Sequence, residues 1–406
     1  MGLLLAASGP LKLPPVAYSA ILPELILIGT ALGFLGVAAL TRARIPAALW
    51  SAGTILAGLA SLATALVLWS RVSGHAGYTA IDGAVVVDGF SVLFLVLVSC
   101  AEIVFALIAA VWMDREDDHG PEMLALALLS GSGAMLMAEA NDLILIFLGL
   151  EILSIALYVL AALNRRRSES GEAAIKYFVL GAFSSAIFLY GVALTYGATG
   201  STNIGAIARY LAQNVVTSNG VLLAGLFLLI AGLAFKVAAV PFHAWTPDVY
   251  QGSPSPVTGF MAAVAKAGGF AALLRVCISS FGTLRLDWQP AIYALAVLSL
   301  VLGAVLAVIQ SDVKRMLAYS SISHAGFVLL GLEAVTSQGV SGAEYYLFTY
   351  AFMILGSFAV VTVVGAGNDV SQDISLYRGL GSRRPVLALG FAVLLLAQAG
   401  VPFTTG

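Results

Sequence analysis

The chain is poor in charged residues and in cysteine. Only 10% of its 406 residues are Asp, Glu, Lys or Arg, whereas 60% are hydrophobic. Because a soluble domain carries about 25% charged residues, this composition excludes a large globular enzyme and indicates a polytopic membrane protein. The two cysteines, Cys100 and Cys277, lie in apolar segments and are too few for a disulfide framework or an iron–sulfur cluster.

Motifs for nucleotides and nucleic acids are also missing. The sequence has no G-x-G-x-x-G after a strand, no Walker loop and no histidine pair at haem spacing. Its net charge is −2 and it has no basic patch, so no nucleic-acid partner is expected. We therefore expect no cofactor, metal or redox centre in this chain. The first residues lack a basic region and a cleavage site, so we expect no signal peptide.

Long apolar runs predict an all-α fold, because about 20 apolar residues cross the hydrocarbon core as a helix. We expect about eleven complete transmembrane helices and a twelfth that begins near 386 and is still apolar at Gly406, as in a fragment of a longer protein. The complete spans are predicted at 18–40, 46–70, 89–113, 121–139, 142–163, 172–198, 219–240, 255–278, 289–310, 313–335 and 343–366.

The distribution of basic residues predicts an N-terminus outside the cell, because Lys and Arg accumulate in short inner loops. With that orientation the outer segments hold four basic residues, Lys12, Arg71, Arg209 and Arg285. The inner loops hold eleven: Arg42, Arg44, Arg115, Arg165, Arg166, Arg167, Lys314, Arg315, Arg378, Arg383 and Arg384.

Four charged residues lie inside successive apolar helices: Glu151, Lys176, Lys236 and Lys266. A charge at membrane depth costs about 2.5–3.5 kcal/mol on insertion scales, so this pattern indicates a path for protons or ions. Structural roles are the alternatives. Glu151 could form an ion pair that only joins helices, and Lys176 could reach the interface and pair with Glu172 four residues earlier.

Lys236 is the most informative of the four. It follows the apolar run 220–235 and precedes Pro241, which has no N–H and leaves the carbonyl of Val237 without its helical partner. Freed backbone at this depth is tolerated where it is buried in protein or lines a wet cavity. We therefore expect a broken helix beside Lys236, with Glu151 as the partner of the lysine. The alternative is a kink that only packs.

Further ionisable residues have weaker patterns. Lys266 has small neighbours that leave room for water, and His324 lies on a polar stripe where it could relay protons or simply form a core hydrogen bond. Glu102 has no obvious partner in the sequence, and Glu24 is expected at the membrane interface. Both are placed off the main path.

Three long motifs resemble one known family. They are 171–178 (GEAAIKYF), 235–245 (FKVAAVPFHAW) and 310–326 (QSDVKRMLAYSSISHAG), and they are similar to the antiporter-like subunits of respiratory complex I, relatives of the multi-subunit cation/proton antiporters. The similarity runs over nearly the whole chain. Residues 373–380 with Arg384-Pro385 resemble the N branch of the family more than its L and M branches.

The resemblance implies a fold of fourteen helices with two inverted five-helix repeats, each with a broken helix. The motif 238–242 (AAVPF) is echoed at 399–403 (AGVPF). The family's next lysine would come after Gly406. We expect the first three helices in 1–120, the first repeat in 121–280 and an incomplete second repeat in 281–406. The family's proton-path residues match Glu151, Lys176, Lys236 and Lys266.

The function implied is a proton-translocating, non-redox subunit of an NADH–quinone oxidoreductase in the inner (plasma) membrane. Its partners would be the lipid bilayer and other membrane subunits, and NADH, flavin, iron–sulfur clusters and quinone would be handled by partner subunits. Two alternatives stay open at this point. One is a secondary cation/proton antiporter driven by an ion gradient, and the other is an assembly scaffold whose charges fix helix register.

Overall fold

The computed structural model describes residues 16–41, 45–117, 120–214, 219–365, 372–402 and 404. The basic residues Lys12, Arg42 and Arg44 of the orientation argument lie outside these ranges. Within them nine helices are long and apolar enough to cross a membrane, and two shorter apolar helices accompany them. The all-α membrane fold is confirmed, whereas the number of spans stays a prediction.

The helices follow the predicted spans closely in the first half of the chain. They are α1 Leu22–Leu40, α2 Ala47–Val72, α3 Gly89–Arg115, α4 Glu122–Glu139, α5 Leu143–Ala161, α6 Ser168–Thr199, α7 Ile204–Gln213 and α8 Gly220–Lys236. The sequence analysis did not predict α7 or the antiparallel hairpin of β1 Tyr78–Ala80 and β2 Val85–Val87 that precedes α3.

The second half begins with a short helix, α9 Thr246–Gly252, and then a long composite helix. This composite runs through α10 Ser255–Phe260, a π-helical segment Met261–Ala265, α11 Lys266–Leu274 and a second π-helical segment Arg275–Ser280. The remaining helices are α12 Arg285–Val308, α13 Val313–Glu333, α14 Ser337–Val364, α15 Leu380–Arg383 and α16 Pro385–Gln398.

Short polar side chains fix where many of these helices begin. An oxygen ahead of the first turn accepts a hydrogen bond from a backbone N–H that has no partner within the helix. Asp88 does this for α3, and Ser91 bonds back to the Asp88 N–H, which completes a capping box. The other side chains that cap in this way are Asp142 on α5, Asn203 on α7, Asp312 on α13 and Thr336 on α14.

The composite helix 255–280 forms the centre of the bundle. Its most apolar stretch is 94% buried, against 22% for α1 and 28% for the span that contains α12. Close helix contacts elsewhere depend on glycine, as is common in membrane bundles. A methyl group at Gly133 of α4 would lie only 2.5 Å from the Leu153 nitrogen of α5. The helices that carry ionisable residues are thus held at short range around a buried central helix.

Two helices end in the same way, at the positions where the sequence repeats a motif. The Ala239 N–H donates to the Ala234 carbonyl at 2.9 Å after α8, and the Val401 N–H donates to the Leu396 carbonyl at 3.1 Å after α16. The residue before each donor is left-handed, with φ of 60° at Ala238 and 71° at Gly400. This is the Schellman pattern of helix termination.

Candidate functional site

Lys236 is the last residue of α8, where the helix is interrupted. Pro241 cannot donate a hydrogen bond, and the chain turns away through Val237 and the left-handed Ala238. The Phe235 carbonyl at the break accepts a hydrogen bond from the Trp245 indole at 3.1 Å. The predicted break beside the lysine is therefore confirmed, and one of its carbonyls, that of Phe235, is satisfied by a buried side chain.

The ammonium of Lys236 lies in the interior, since the residue is only 3% exposed. Its Nζ donates to the Ser154 hydroxyl at 2.8 Å and to the Tyr177 hydroxyl at 3.1 Å. The same Nζ lies 5.2 Å from the centre of the Tyr177 ring and 5.8 Å from that of Tyr158, within cation–π range. The Trp245 ring stacks on Tyr177 with centroids 4.6 Å apart. These contacts hold a buried cation without a direct counter-ion.

Glu151 lies on α5, one turn before Ser154, so the two side chains share a face of the helix. Glu151 and Lys236 interact electrostatically. The Glu151 Oε1 is buried and has no hydrogen-bond partner among the described residues. Within the described ranges no ion pair of 4.0 Å or less joins the two residues. The structure thus brings Glu151 within electrostatic range of Lys236, on the helix face that also carries Ser154, the hydrogen-bond partner of the lysine.

Lys176 occupies a different environment, in a polar cleft at one end of the bundle. Its Nζ is 2.7 Å from both Glu172 and Asp248, so the pairing with Glu172 that the sequence suggested is present. Asp248 also pairs with Arg315 at 2.7 Å. The cleft has a volume of about 420 Å³ and is lined by Lys176, Asp248, Asp312 and nine further residues of mostly polar character.

Adjacent residues of α6 connect the cleft with the interior. Lys176 faces the cleft, with 41% of its side chain exposed, whereas the next residue, Tyr177, is fully buried and contacts Lys236. The lysine of the cleft and the hydroxyl that contacts the buried lysine therefore belong to consecutive residues of one helix.

Lys266 lies on the central composite helix and is 3% exposed. Its Nζ donates to the Ser321 carbonyl of α13 at 2.5 Å. Gly269, one turn later, packs against Lys236, because a methyl group at Gly269 would lie 3.4 Å from the Lys236 Cγ. The helix that carries one buried lysine thus touches the side chain of the other.

His324 continues this line on α13, one turn after Ser321. Its Nδ1 is 2.6 Å from the Tyr346 hydroxyl, and its ring centre is 4.8 Å from that of Tyr350. The Tyr350 hydroxyl donates to the Ser321 hydroxyl at 2.7 Å. Lys266, Ser321 and His324 are therefore joined by a chain of polar side chains and backbone.

The sequence analysis missed some of these partners. Asp248 links two cations of the cleft, and only its place after Thr246-Pro247, a signal for a helix start, could have drawn attention to it. Lys314 was placed in an inner loop, but it lies in the first turn of α13, is fully buried and donates to the Ser253 carbonyl at 2.5 Å. The loop placement of Lys314 was wrong, because its side chain folds inward from the helix start.

Comparison with known proteins agrees with this geometry. The family model described as "NADH:quinone oxidoreductase/Mrp antiporter, TM" matches residues 140–406, which include all five predicted site residues. NADH-quinone oxidoreductase subunit N of Trichlorobacter lovleyi is 45% identical over 341 residues, covering 82% of this chain and 70% of that protein. The subunit N of a Parafrankia species is 43% identical over 416 residues, covering 97% and 78%. The chain belongs to the NADH-quinone oxidoreductase subunit N family.

A solved structure supports the fold of this subunit N family member. Respiratory complex I from Thermus thermophilus with bound aureothin contains a chain that is 35% identical, with a TM-score of 0.78. The match covers 94% of this chain and 79% of that one. The resemblance in the sequence motifs is confirmed, and the chain is a multi-pass membrane subunit of the complex I type.

Proposed function

We propose that this chain carries protons across the membrane through its buried lysines as a non-redox subunit of an NADH–quinone oxidoreductase. The single observation that carries the proposal is that Lys236 and Lys266 are both buried, on helices that touch where Gly269 packs on the Lys236 side chain. Two ammonium groups about 10 Å apart would repel by about 1.7 kcal/mol at an effective dielectric constant of 20. A coupling of this size between the two lysines is part of the proposal.

The proposed path begins at the cleft. A proton enters between Lys176 and Asp248, and Tyr177 lies between this cleft and Lys236. Glu151 lies on the same face of α5 as Ser154, and its charge sets the affinity of Lys236 for a proton. Lys266 receives the proton and His324 continues the line along α13.

The energy source and cofactors belong to other chains in this proposal. Moving one proton against about 100 mV costs about 2.3 kcal/mol, which side-chain couplings alone cannot supply for net transport. Partner subunits would bind NADH, flavin, iron–sulfur clusters and quinone, and this chain would bind none of them.

We place the complex in the bacterial inner (plasma) membrane with the N-terminus of this chain outside. We keep 1–120, 121–280 and 281–406 as its units, and the matched helix ends at 238 and 400 support the two repeats.

The test is proton pumping by the whole complex in sealed vesicles, measured together with NADH–quinone electron transfer. Lys236→Ala is expected to lower the proton-to-electron ratio, with Arg209→Ala on the exposed face of α7 as the control. An unchanged ratio in Lys236→Ala would contradict the proposal. Purification separates the alternative: an antiporter would come without flavin and iron–sulfur subunits and would pump in response to an ion gradient alone.

A further inference from the structure

Two acidic side chains that take no part in the proposed proton path are buried together. They lie at the end of the bundle that carries the β-hairpin. Glu24 of α1 is 4% exposed and Glu139 of α4 is fully buried. Their carboxyl groups are within hydrogen-bonding reach of each other. Among the described residues, no other side chain donates a hydrogen bond to any of their four oxygens, and the one backbone donor in range is the N–H of Glu24 itself. Glu24 lies in the first turn of α1, and α1 packs along α4 so that the side chain is covered by protein; its interfacial depth stays a prediction.

An ionised carboxylate only accepts hydrogen bonds, so two ionised groups facing each other in the interior repel and leave every oxygen unsatisfied. A single proton changes this arrangement. It turns two carboxylates of total charge −2 into a hydrogen-bonded pair of charge −1, in which one group donates to the other. The isolation of the pair from other donors thus favours a shared proton.

A fixed ion pair lies beside the two carboxyl groups. The Arg275 guanidinium bonds both oxygens of Asp88, at 2.9 and 2.7 Å, and its Nε donates to the Ala138 carbonyl at 2.9 Å, next to Glu139. Arg275 and Asp88 both act on the charge of Glu139, and Glu344 of α14 lies within electrostatic range of the same ion pair. Arg275 is thus the cation closest to an otherwise acidic group of residues.

The β-hairpin closes this region from its end of the bundle. Val85 of β2 pairs with Ala140, the residue after Glu139, and Val85 and Val87 are both buried. Asp88 follows β2 directly and carries the ion pair with Arg275. The composite helix that carries Arg275 also carries Lys266, which lies nine residues, or about 13 Å along the helix axis, before Arg275.

We propose that Glu24 and Glu139 form a second proton-binding site, separate from the proposed path through the buried lysines, in which the two carboxyl groups share one proton. Arg275 is the positioning residue of this site, since it holds the α4 end through Ala138 and supplies the neighbouring positive charge. The site goes beyond the proposed path, in which neither Glu24 nor Glu139 takes part.

Infrared difference spectroscopy of the whole complex in membranes tests this site, through the C=O stretch of a protonated carboxyl group after a change of pH. Glu24→Gln and Glu139→Gln are each expected to remove the same band completely, because the remaining carboxylate gains an amide donor. The double variant is expected to lose no more than either single variant. Glu122→Gln, in the exposed first turn of α4, is the matched control and keeps the band.

Other outcomes overturn the proposal. A band that persists at half intensity in each single variant would mean two independent protons, and a band unchanged in both would mean that the pair only packs. If Glu139→Gln does not assemble, Glu24→Gln gives the same reading from the other helix. The band is expected to persist in Lys236→Ala, so loss of pumping there and loss of the band here distinguish the failure of one proposal from that of the other.

Discussion

The Lys236 ammonium lies 2.8 Å from the Ser154 hydroxyl, and this hydrogen bond joins α8 to α5 at the interrupted helix. Ser154 is one turn from Glu151, so the hydroxyl lies on the face of α5 through which the carboxylate acts on the lysine. The hydroxyl accepts from the ammonium and donates to the Leu150 carbonyl one turn earlier, so it ties the lysine to the backbone of α5.

Removal of this hydroxyl is therefore expected to slow proton transfer. A hydrogen bond to a charged group is worth about 1.5–3 kcal/mol, so Ser154→Ala should lower the proton flux at least about tenfold. Pumping by the reconstituted complex is the measurement. Ser61→Ala removes an equally buried hydroxyl from α2 and serves as the control, with flux near that of the wild type. Equal flux in the two variants would show that Ser154 has no part in the transfer.

The cleft gives a second prediction, which concerns the partners of Lys176. Asp248→Asn removes the shared partner of Lys176 and Arg315. Because these side chains are partly solvated, we expect the loss of roughly 1 kcal/mol of ion-pair interaction energy, which lowers the proton flux about fivefold. Glu172→Gln is the matched control. Its carboxylate is 63% exposed, and its loss should change the flux by no more than about twofold. A larger effect from Glu172 than from Asp248 would reverse the assignment.

Helix packing gives a third prediction, on stability. Gly133→Ala would place a methyl group 2.5 Å from the Leu153 nitrogen and 2.7 Å from the Gly149 carbonyl oxygen, so α4 and α5 must separate. We expect a loss of about 2 kcal/mol in the free energy of unfolding, as for other overpacked cores. The melting temperature in detergent is the measurement. Gly29→Ala, with no atom within 4 Å of the added methyl group, should be neutral or slightly stabilising.

A fourth prediction concerns pH and the Asp88–Arg275 ion pair. Burial alone would raise the pKa of Asp88, but the hydrogen bonds and charge of Arg275, together with the hydrogen bonds from Ser91, outweigh burial and hold this pKa below its ordinary value. The ion pair therefore stabilises the fold above the unfolded-state pKa of about 3.9, and this stability is lost as the pH falls through the lower folded-state pKa.

Asp88→Asn is expected to cost about 3 kcal/mol at neutral pH, since it leaves the nearly buried Arg275 without its counter-ion. The difference from the wild type should begin to shrink below about pH 4, where Asp88 of the unfolded chain takes up a proton, and disappear below the lower folded-state pKa. Melting temperatures of both proteins across this range check the sign. A difference that grows on acidification would contradict the assignment.

Much of the fold follows from local patterns in the sequence. The break after Lys236 was predictable because Pro241 removes a backbone donor at a fixed distance, and most helix ends lie within a few residues of the apolar runs. The start of the helix that begins at Arg285 was placed four residues too late, at 289, because its first turn is polar. The neighbourhood of Lys236, Ser154 and Tyr177 joins three segments. The sequence motifs contain Lys236 and Tyr177 but not Ser154, and they do not indicate the contacts.

The contacts that sequence patterns did not indicate are those between distant acidic and basic residues. Asp248 and Lys176 are 72 residues apart, and Asp88 and Arg275 are 187 apart. No periodicity relates such pairs, because their meeting depends on how whole helices pack. Glu24 was assigned to the interface for the same reason: its place after Pro23 indicates a helix start, but only packing against α4 shows that the side chain is covered.

The two π-helical segments on the central helix limit how Lys266 can move. Arg275 fastens the far end of that helix to Asp88 and to Ala138, so the rod cannot slide along its axis without breaking a bidentate ion pair. Segments 261–265 and 275–280 each contain a turn wider than that of an α-helix, one on either side of the stretch that begins at Lys266. Reorientation of the lysine is therefore expected to be a local rewinding of the helix, since its end at Arg275 is fixed.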